Sequence, residues 1–177
     1  MQISIQLTDP STKFIINNLY PLYLHDLSDI WGWKPNQYGV FEEQDTRTLQ
    51  DQNRVFDIWW EHPTILFPYL IMADHIPAGF AMVATPPYTP HGSEFYMNEF
   101  FVMRSFRGQG VAESAAVQVF DRHRGQWELQ TNPLERNLRA QAFWRRTIQQ
   151  YTSSVFEENC GKTRNDGLKL NFTFSNR

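Results

Sequence analysis

Between residues 100 and 112 the chain reads FFVMRSFRGQGVA, an apolar strand-like run that opens into a turn holding Gly108 and Gly110 and passes directly into a small-residue helix. Glycine takes up positive φ without the Cβ clash that other residues suffer, so such a turn can be tight and its consecutive N–H groups can converge. They converge at the positive end of the helix that starts near Val111, which makes a cradle for a phosphate-sized anion. Strand, glycine turn and helix in that order point to an α/β domain.

The two most familiar phosphate loops do not fit. A P-loop requires Gly-Lys-Ser/Thr at the helix start, and a dinucleotide fingerprint requires a third small residue where Glu113 stands. What the segment resembles is motif A of the GNAT N-acetyltransferases, Gln/Arg-x-x-Gly-x-Gly/Ala, carried here by Arg107, Gly110 and Ala112 and preceded by the family's spacing from Val102 to Arg107. Downstream, Asn137-Leu138-Arg139-Ala140-Gln141-Ala142-Phe143-Trp144 is similar to the family's motif B, Asn-x-x-Ala-x-x-Phe-Tyr, with Trp144 in place of tyrosine. The resemblance extends from about Thr64 to Tyr151. The chain also resembles an uncharacterised subgroup of predicted acetyltransferases that share a Phe-Phe-Val strand, a helix end like Val119-Phe120-Asp121 and a Phe-Trp motif B.

The resemblance implies a three-layer α/β fold whose mixed central sheet is splayed at the acetyl-CoA site, with helices on both faces. It implies acetyl-CoA as cosubstrate, its pyrophosphate on the loop Arg107, Gly108, Gln109, Gly110, Val111 and Ala112. The thioester is expected along the backbone of Phe101, Val102 and Met103, with Asn137, Phe143 and Trp144 of motif B completing the cofactor side. The acceptor is an amine, and a homodimer is left open. Acetyl transfer asks for an ammonium proton to be removed and for the thioester carbonyl to be held in line. Glu99 is the candidate base, and a β-bulge nearby would exchange it for Asn98 or Glu94 as the inward group. Trp31, Trp33, Tyr38 and Phe41, with Asp26 and Asp29, are candidates for an acceptor wall, although core packing accounts for such aromatics more often. Trp144 lacks the acidic phenol that many family members use to protonate the departing thiolate, so water, or less favourably Tyr151, is left for that role.

Composition supports one domain over residues 1–177: with 41% apolar and 15% aromatic residues there is ample material for a core. Neither a signal peptide nor an apolar run of about 18 residues is present, so a cytoplasmic protein with no membrane partner is expected. Charge is uneven. Residues 1–103 carry 4 Lys/Arg against 12 Asp/Glu, and residues 104–146 carry 8 against 4. A basic middle suits an anionic cofactor and an acidic front suits a cationic amine, whereas no basic tail argues for nucleic acid. The five histidines and the lone Cys160 show no ligand spacing, so no metal is expected.

Along the chain, alternation predicts a first strand over Ile3–Leu7, and a helix carrying Phe14, Ile15, Leu19, Leu22 and Tyr23 follows the turn at Asp9–Thr12, with Pro21 as a kink point. A loop of aromatics and carboxylates, Trp31 through Glu42 and Glu43, precedes a helix over Leu49–Trp60. Strands are expected at Phe67–Ala73, Gly79–Val83, Glu94–Met103, Trp127–Gln130, Ser154–Phe156 and Leu168–Phe174, and helices at Val111–Arg124 and from motif B to Gln150. Two functions fit these features: an acetyl-CoA-dependent N-acetyltransferase, and a non-catalytic CoA-binding or sensing module on the same fold.

Overall fold

The computed structural model describes residues 1–41, 44–163 and 167–177; Glu42 and Glu43, assigned to the acidic loop, lie outside the described residues. β1 (Ile3–Leu7) leads into α1 (Lys13–Trp31), and two short helices follow, α2 (Leu49–Asn53) and α3 (Ile58–Glu61). Next come β2 (Leu66–Ala73), β3 (Ile76–Ala84), β4 (Phe95–Val102), α4 (Val111–Arg122), β5 (Gln126–Thr131), α5 (Leu138–Tyr151), β6 (Glu157–Thr163) and β7 (Gly167–Ser175). The strands form one sheet in the order β1-β2-β3-β4-β5-β7-β6, antiparallel throughout except for the parallel pair β4·β5.

Helices cover both faces because the strands are apolar on both. On one side Ile16, Leu19, Tyr20 and Leu24 of α1 pack with Trp59 and Trp60 onto Leu70, Phe80, Met82 and Phe101. On the other, Ala115, Ala116 and Val119 of α4 and Trp144 and Ile148 of α5 pack onto Ile71, Val83, Trp127 and Phe172. The alanines of α4 let the helix lie close to the sheet, as their spacing predicts.

α1 runs on through Pro21 to Trp31, where the aromatic loop is expected to begin, with buried Leu24 beyond the proline. Two expectations are corrected. The single helix expected over Leu49–Trp60 is interrupted by a 3₁₀ turn at Arg54–Phe56, although Gln52, Phe56, Trp59 and Trp60 still face inward. The strand expected at Ser154–Phe156 lies instead at Glu157–Thr163, a polar sheet edge with no apolar alternation to mark it.

Two irregularities in β4 shape the centre of the sheet. Met82 pairs with Glu99 but the next residue, Val83, pairs with Met97, so Asn98 is extruded as a β-bulge. The bulge shifts the alternation by one, so that Met97 faces the α4/α5 core while Glu99 and Phe101 lie on the α1 side. On its other edge β4 meets β5 through only three pairs, Phe95 with Trp127 to Met97 with Leu129. From the bulge to Val102 the two parallel strands diverge, and this splay opens the sheet directly in front of the glycine turn.

Candidate functional site

The glycine turn has the geometry that its sequence demands. Gly108 and Gly110 sit at φ 73° and 77°, in the left-handed region. Gly110 is the N-cap of α4 and offers no side chain, so the first N–H groups of the helix have no capping partner there. A Cβ on either glycine would meet nothing within 4 Å, so the space beside the turn is open. Val111 is buried and anchors the helix start, Ala112 is half-buried, and the Gln109 amide donates to the Ser105 carbonyl at 2.8 Å, bracing the turn from within. Backbone donors, open volume and a helix N-terminus together fit a phosphate group.

Arg107 does not reach outward. Its Nε donates to the Val102 carbonyl at 2.6 Å, its guanidinium lies 5.6 Å from the Phe101 ring centroid, and its Nη2 meets Asp26 Oδ2 at 2.5 Å. Arg104 closes on the other oxygen of the same carboxylate at 2.9 Å. Asp26, a candidate for the acceptor wall, is placed by α1 beside the glycine turn, where one carboxylate meets two guanidinium groups.

Along the splayed part of β4 the three expected backbone positions differ. The Met103 N–H already donates to the Ala78 carbonyl at 2.8 Å and is not available to a ligand. Strand alternation turns the N–H of Val102 away from β3, toward the open edge, while Phe101 faces β3. The side chains of Phe101 and Val102 are both buried, in opposite cores.

Motif B lies on the α4/α5 side. Trp144 is 6% exposed and packs edge-on against Phe100 with centroids 5.1 Å apart, and Phe143 stacks on the same ring at 5.9 Å. The buried Asn137 amide donates to Thr131 Oγ1 and to the Asn132 carbonyl, both at 2.8 Å, fastening the β5–α5 connection. Tyr151 is far from the cradle. Its hydroxyl donates to Asp121 at 2.9 Å and accepts from Asn176 at 3.1 Å. Asp121 lies ten residues beyond Val111 on α4, about 15 Å along the axis.

Of the three candidate bases, Glu94 is tied down outside the cleft: its Oε2 accepts from the Gln126 N–H at 2.8 Å and from Arg177. Those bonds hold its pKa below the usual carboxylate value, the backbone donor most of all. Asn98 is the exposed bulge residue. Glu99 remains on the α1 side, half-buried, and accepts a hydrogen bond from the hydroxyl of Tyr23. The expectation treated Tyr23 as one more apolar residue of a helix stripe. Its contact with a carboxylate 76 positions away has no local signal.

A further carboxylate on a strand shares this side of the sheet. Glu128, paired in register with Tyr96, is buried to 1% and accepts from His91 Nδ1 at 2.9 Å and from Gln130 at 3.0 Å. The loop aromatics divide: Trp33 is 50% and Tyr38 44% exposed, whereas Phe41 is half-buried and packs against the α1-side core, as the commoner expectation has it. Trp31 stacks on Trp33 at 5.7 Å and carries the Lys169 ammonium 4.6 Å from its centroid, so the end of α1 touches β7. Among the described residues no group of three or more His, Cys, Asp or Glu could hold a metal, and no helix is long and apolar enough to cross a membrane.

A sheet splayed beside a glycine-turned helix N-terminus is the framework of a CoA-dependent acyltransferase. The sequence profile of the acetyltransferase (GNAT) family matches residues 22–148, and the chain belongs to that family. No curated protein matches it. Among solved structures it is similar to a histone acetyltransferase HPA2 and related acetyltransferase from Corynebacterium glutamicum, with 13% identity, 98% of this chain and 96% of that one covered, and a TM-score of 0.67. It is similar also to an acetyltransferase from Thermus thermophilus at 13% identity, covering 99% and 97%, with a TM-score of 0.65. The aminoglycoside acetyltransferase AAC(6')-Ib, solved in complex with coenzyme A and kanamycin, aligns at 16% identity over 99% and 95% with a TM-score of 0.61. At these identities the likeness establishes the fold.

Proposed function

We propose that the protein is an N-acetyltransferase that moves the acetyl group of acetyl-CoA to a primary amine of a small molecule or peptide by direct attack in a ternary complex. The observation that carries this reading is the bulge at Asn98, which sets Glu99 on the α1 side of β4 at the point where β4 parts from β5. Acetyl-CoA supplies the activated thioester. The N–H groups at Gly108–Ala112 and the helix end hold its pyrophosphate, and the Val102 N–H on the open edge polarises the thioester carbonyl. Glu99 takes a proton from the acceptor ammonium, freeing the nitrogen lone pair. Trp144, with only an indole N–H, donates no proton to the thiolate, and Tyr151 is anchored at the far end of α4, so water protonates it.

A cationic acceptor suits the half-buried Glu99, and the neutralisation of Asp26 by Arg104 and Arg107 makes Glu99 rather than Asp26 its counter-charge. Homologues solved with CoA and an aminoglycoside, also a cationic amine, support the same class of acceptor. The test is thiol release from acetyl-CoA across amine, neutral and anionic acceptor panels. Turnover with amines, and a KM that rises as salt shortens the screening length toward about 10 Å, supports the reading. Tight CoA binding without turnover for any amine replaces it with a CoA-sensing module.

A further inference from the structure

The side chain that fixes Glu99 comes from α1, outside both sequence motifs. The Tyr23 hydroxyl donates to Glu99 Oε2, and the Tyr23 ring is wedged edge-on against Phe80 and tilted against Phe101, each centroid 5.6 Å away. One turn further, Asp26 clasps Arg104 and Arg107. The same helix face therefore touches the carboxylate at the splay and the phosphate turn, while the ring contacts leave the phenol little freedom to swing.

We propose that Tyr23 is a positioning residue for Glu99, holding the carboxylate ionised and aimed into the cleft so that it is ready to take the ammonium proton. The proposal rests on the reading of Glu99 as the base. In the proton transfer one N–H bond of the acceptor breaks, an O–H bond forms on Glu99, and the nitrogen keeps the electron pair that attacks the thioester; Tyr23 keeps its own proton throughout. Burial first, and then the charge of Glu99, push the Tyr23 phenol well above its ordinary pKa, so it stays a donor at neutral pH. The other groups that it senses are the phenols of Tyr20 on α1 and Tyr96 on β4. Asp26 with its two arginines, Glu128 with His91, and Lys13 with Asp57 are further ionisable groups on this side. A hydrogen bond to the ionised form lowers a carboxyl pKa, so its loss must raise it.

The experiment compares wild type, Tyr23→Phe and a 3-fluorotyrosine at position 23, in protein labelled with ¹³C at the glutamate carboxyls. Site-resolved titration of Glu99 separates it from His91 and needs no turnover. In Tyr23→Phe the Glu99 titration is expected to move up by about one pH unit, and with fluorotyrosine, a stronger donor, to move down. The acidic limb of kcat moves with it, kcat at neutral pH falls about tenfold, and the calorimetric Kd for acetyl-CoA changes less than about twofold. A Glu99 titration that is the same in all three proteins overturns the proposal whatever happens to activity, and so does a kcat loss with an unmoved pH profile. Wild-type protein that binds acetyl-CoA but acetylates no amine sinks the activity reading instead.

Discussion

Asp26 and Arg107 stand 81 residues apart in the chain and share one ion pair beside the glycine turn. The carboxylate is 18% exposed at its side chain and the two guanidinium groups that it serves are 45% and 71% exposed. Pairs this open to water contribute about 0–1 kcal/mol each to stability, so their larger effect is on the field met by an incoming anion. Asp26→Asn should unfold within a few degrees of wild type yet bind CoA about threefold to tenfold more tightly at low salt, the gain fading at high salt as charge is screened. Calorimetry at two ionic strengths checks this, and weaker binding by the variant rejects it.

Two glycines should fail for opposite reasons. At Gly110 a Cβ has room but the backbone has φ 77°, so Gly110→Ala should cost about 1–2 kcal/mol and weaken CoA binding at least tenfold, because the methyl group enters the cradle. At Gly79 a Cβ would lie 2.0 Å from the Phe101 carbonyl oxygen, so Gly79→Ala must push β4 away from β3 and should destabilise by about 1–3 kcal/mol or more. Denaturant melts and CoA titration of both variants separate the two. Unaltered CoA affinity in Gly110→Ala would remove the cradle from the account.

Tyr151→Phe should leave kcat and its basic limb where they are and lower stability by about 1 kcal/mol, the worth of the hydrogen bonds to Asp121 and Asn176. Trp144→Tyr should give no gain in kcat. Trp144 is packed beneath Phe100, and a smaller ring there leaves a void and an unpartnered hydroxyl, so the melt should drop while the rate does not rise. A rate increase would show a vacant acid position.

His123 caps α4 among the rings of Phe67 and Phe95, at 4.8 and 5.0 Å, with Tyr69 bonded to its Nε2 at 2.9 Å. Burial, aided by the charge of Arg122, lowers its pKa from the ordinary 6.5. In the unfolded chain the imidazole protonates near about 6.5, while the folded state resists to lower pH, so unfolding takes up a proton in between. Its contribution to stability is therefore full above that value and is lost as pH falls through the lowered one. Urea titrations from pH 8 to 5 should show that slope in wild type and not in His123→Gln; equal slopes would assign the acid sensitivity elsewhere.

The parts legible beforehand are those written in short range. Gly108 and Gly110 announce their own backbone, and the alanines of α4 announce a close helix–sheet approach. What escaped was written across the fold. The bond from Tyr23 to Glu99 and the clasp of Asp26 on Arg104 and Arg107 depend on where α1 crosses the sheet. β6 escaped for another reason: at the sheet rim residues 157–162 are all exposed, so apolar Val155 and Phe156 drew the assignment a few residues early.

Asn98 works as a phase adapter. A strand with strict two-residue alternation commits every second side chain to one layer along its whole length, so a chain that wants Met97 in one core and Phe101 in the other has to skip a beat. By skipping it at the point where β4 leaves β5, the protein divides one strand into a half that is scaffold and a half that is tool. The side chain at position 99 then becomes a socket whose occupant can change while the sheet behind it stays as it is.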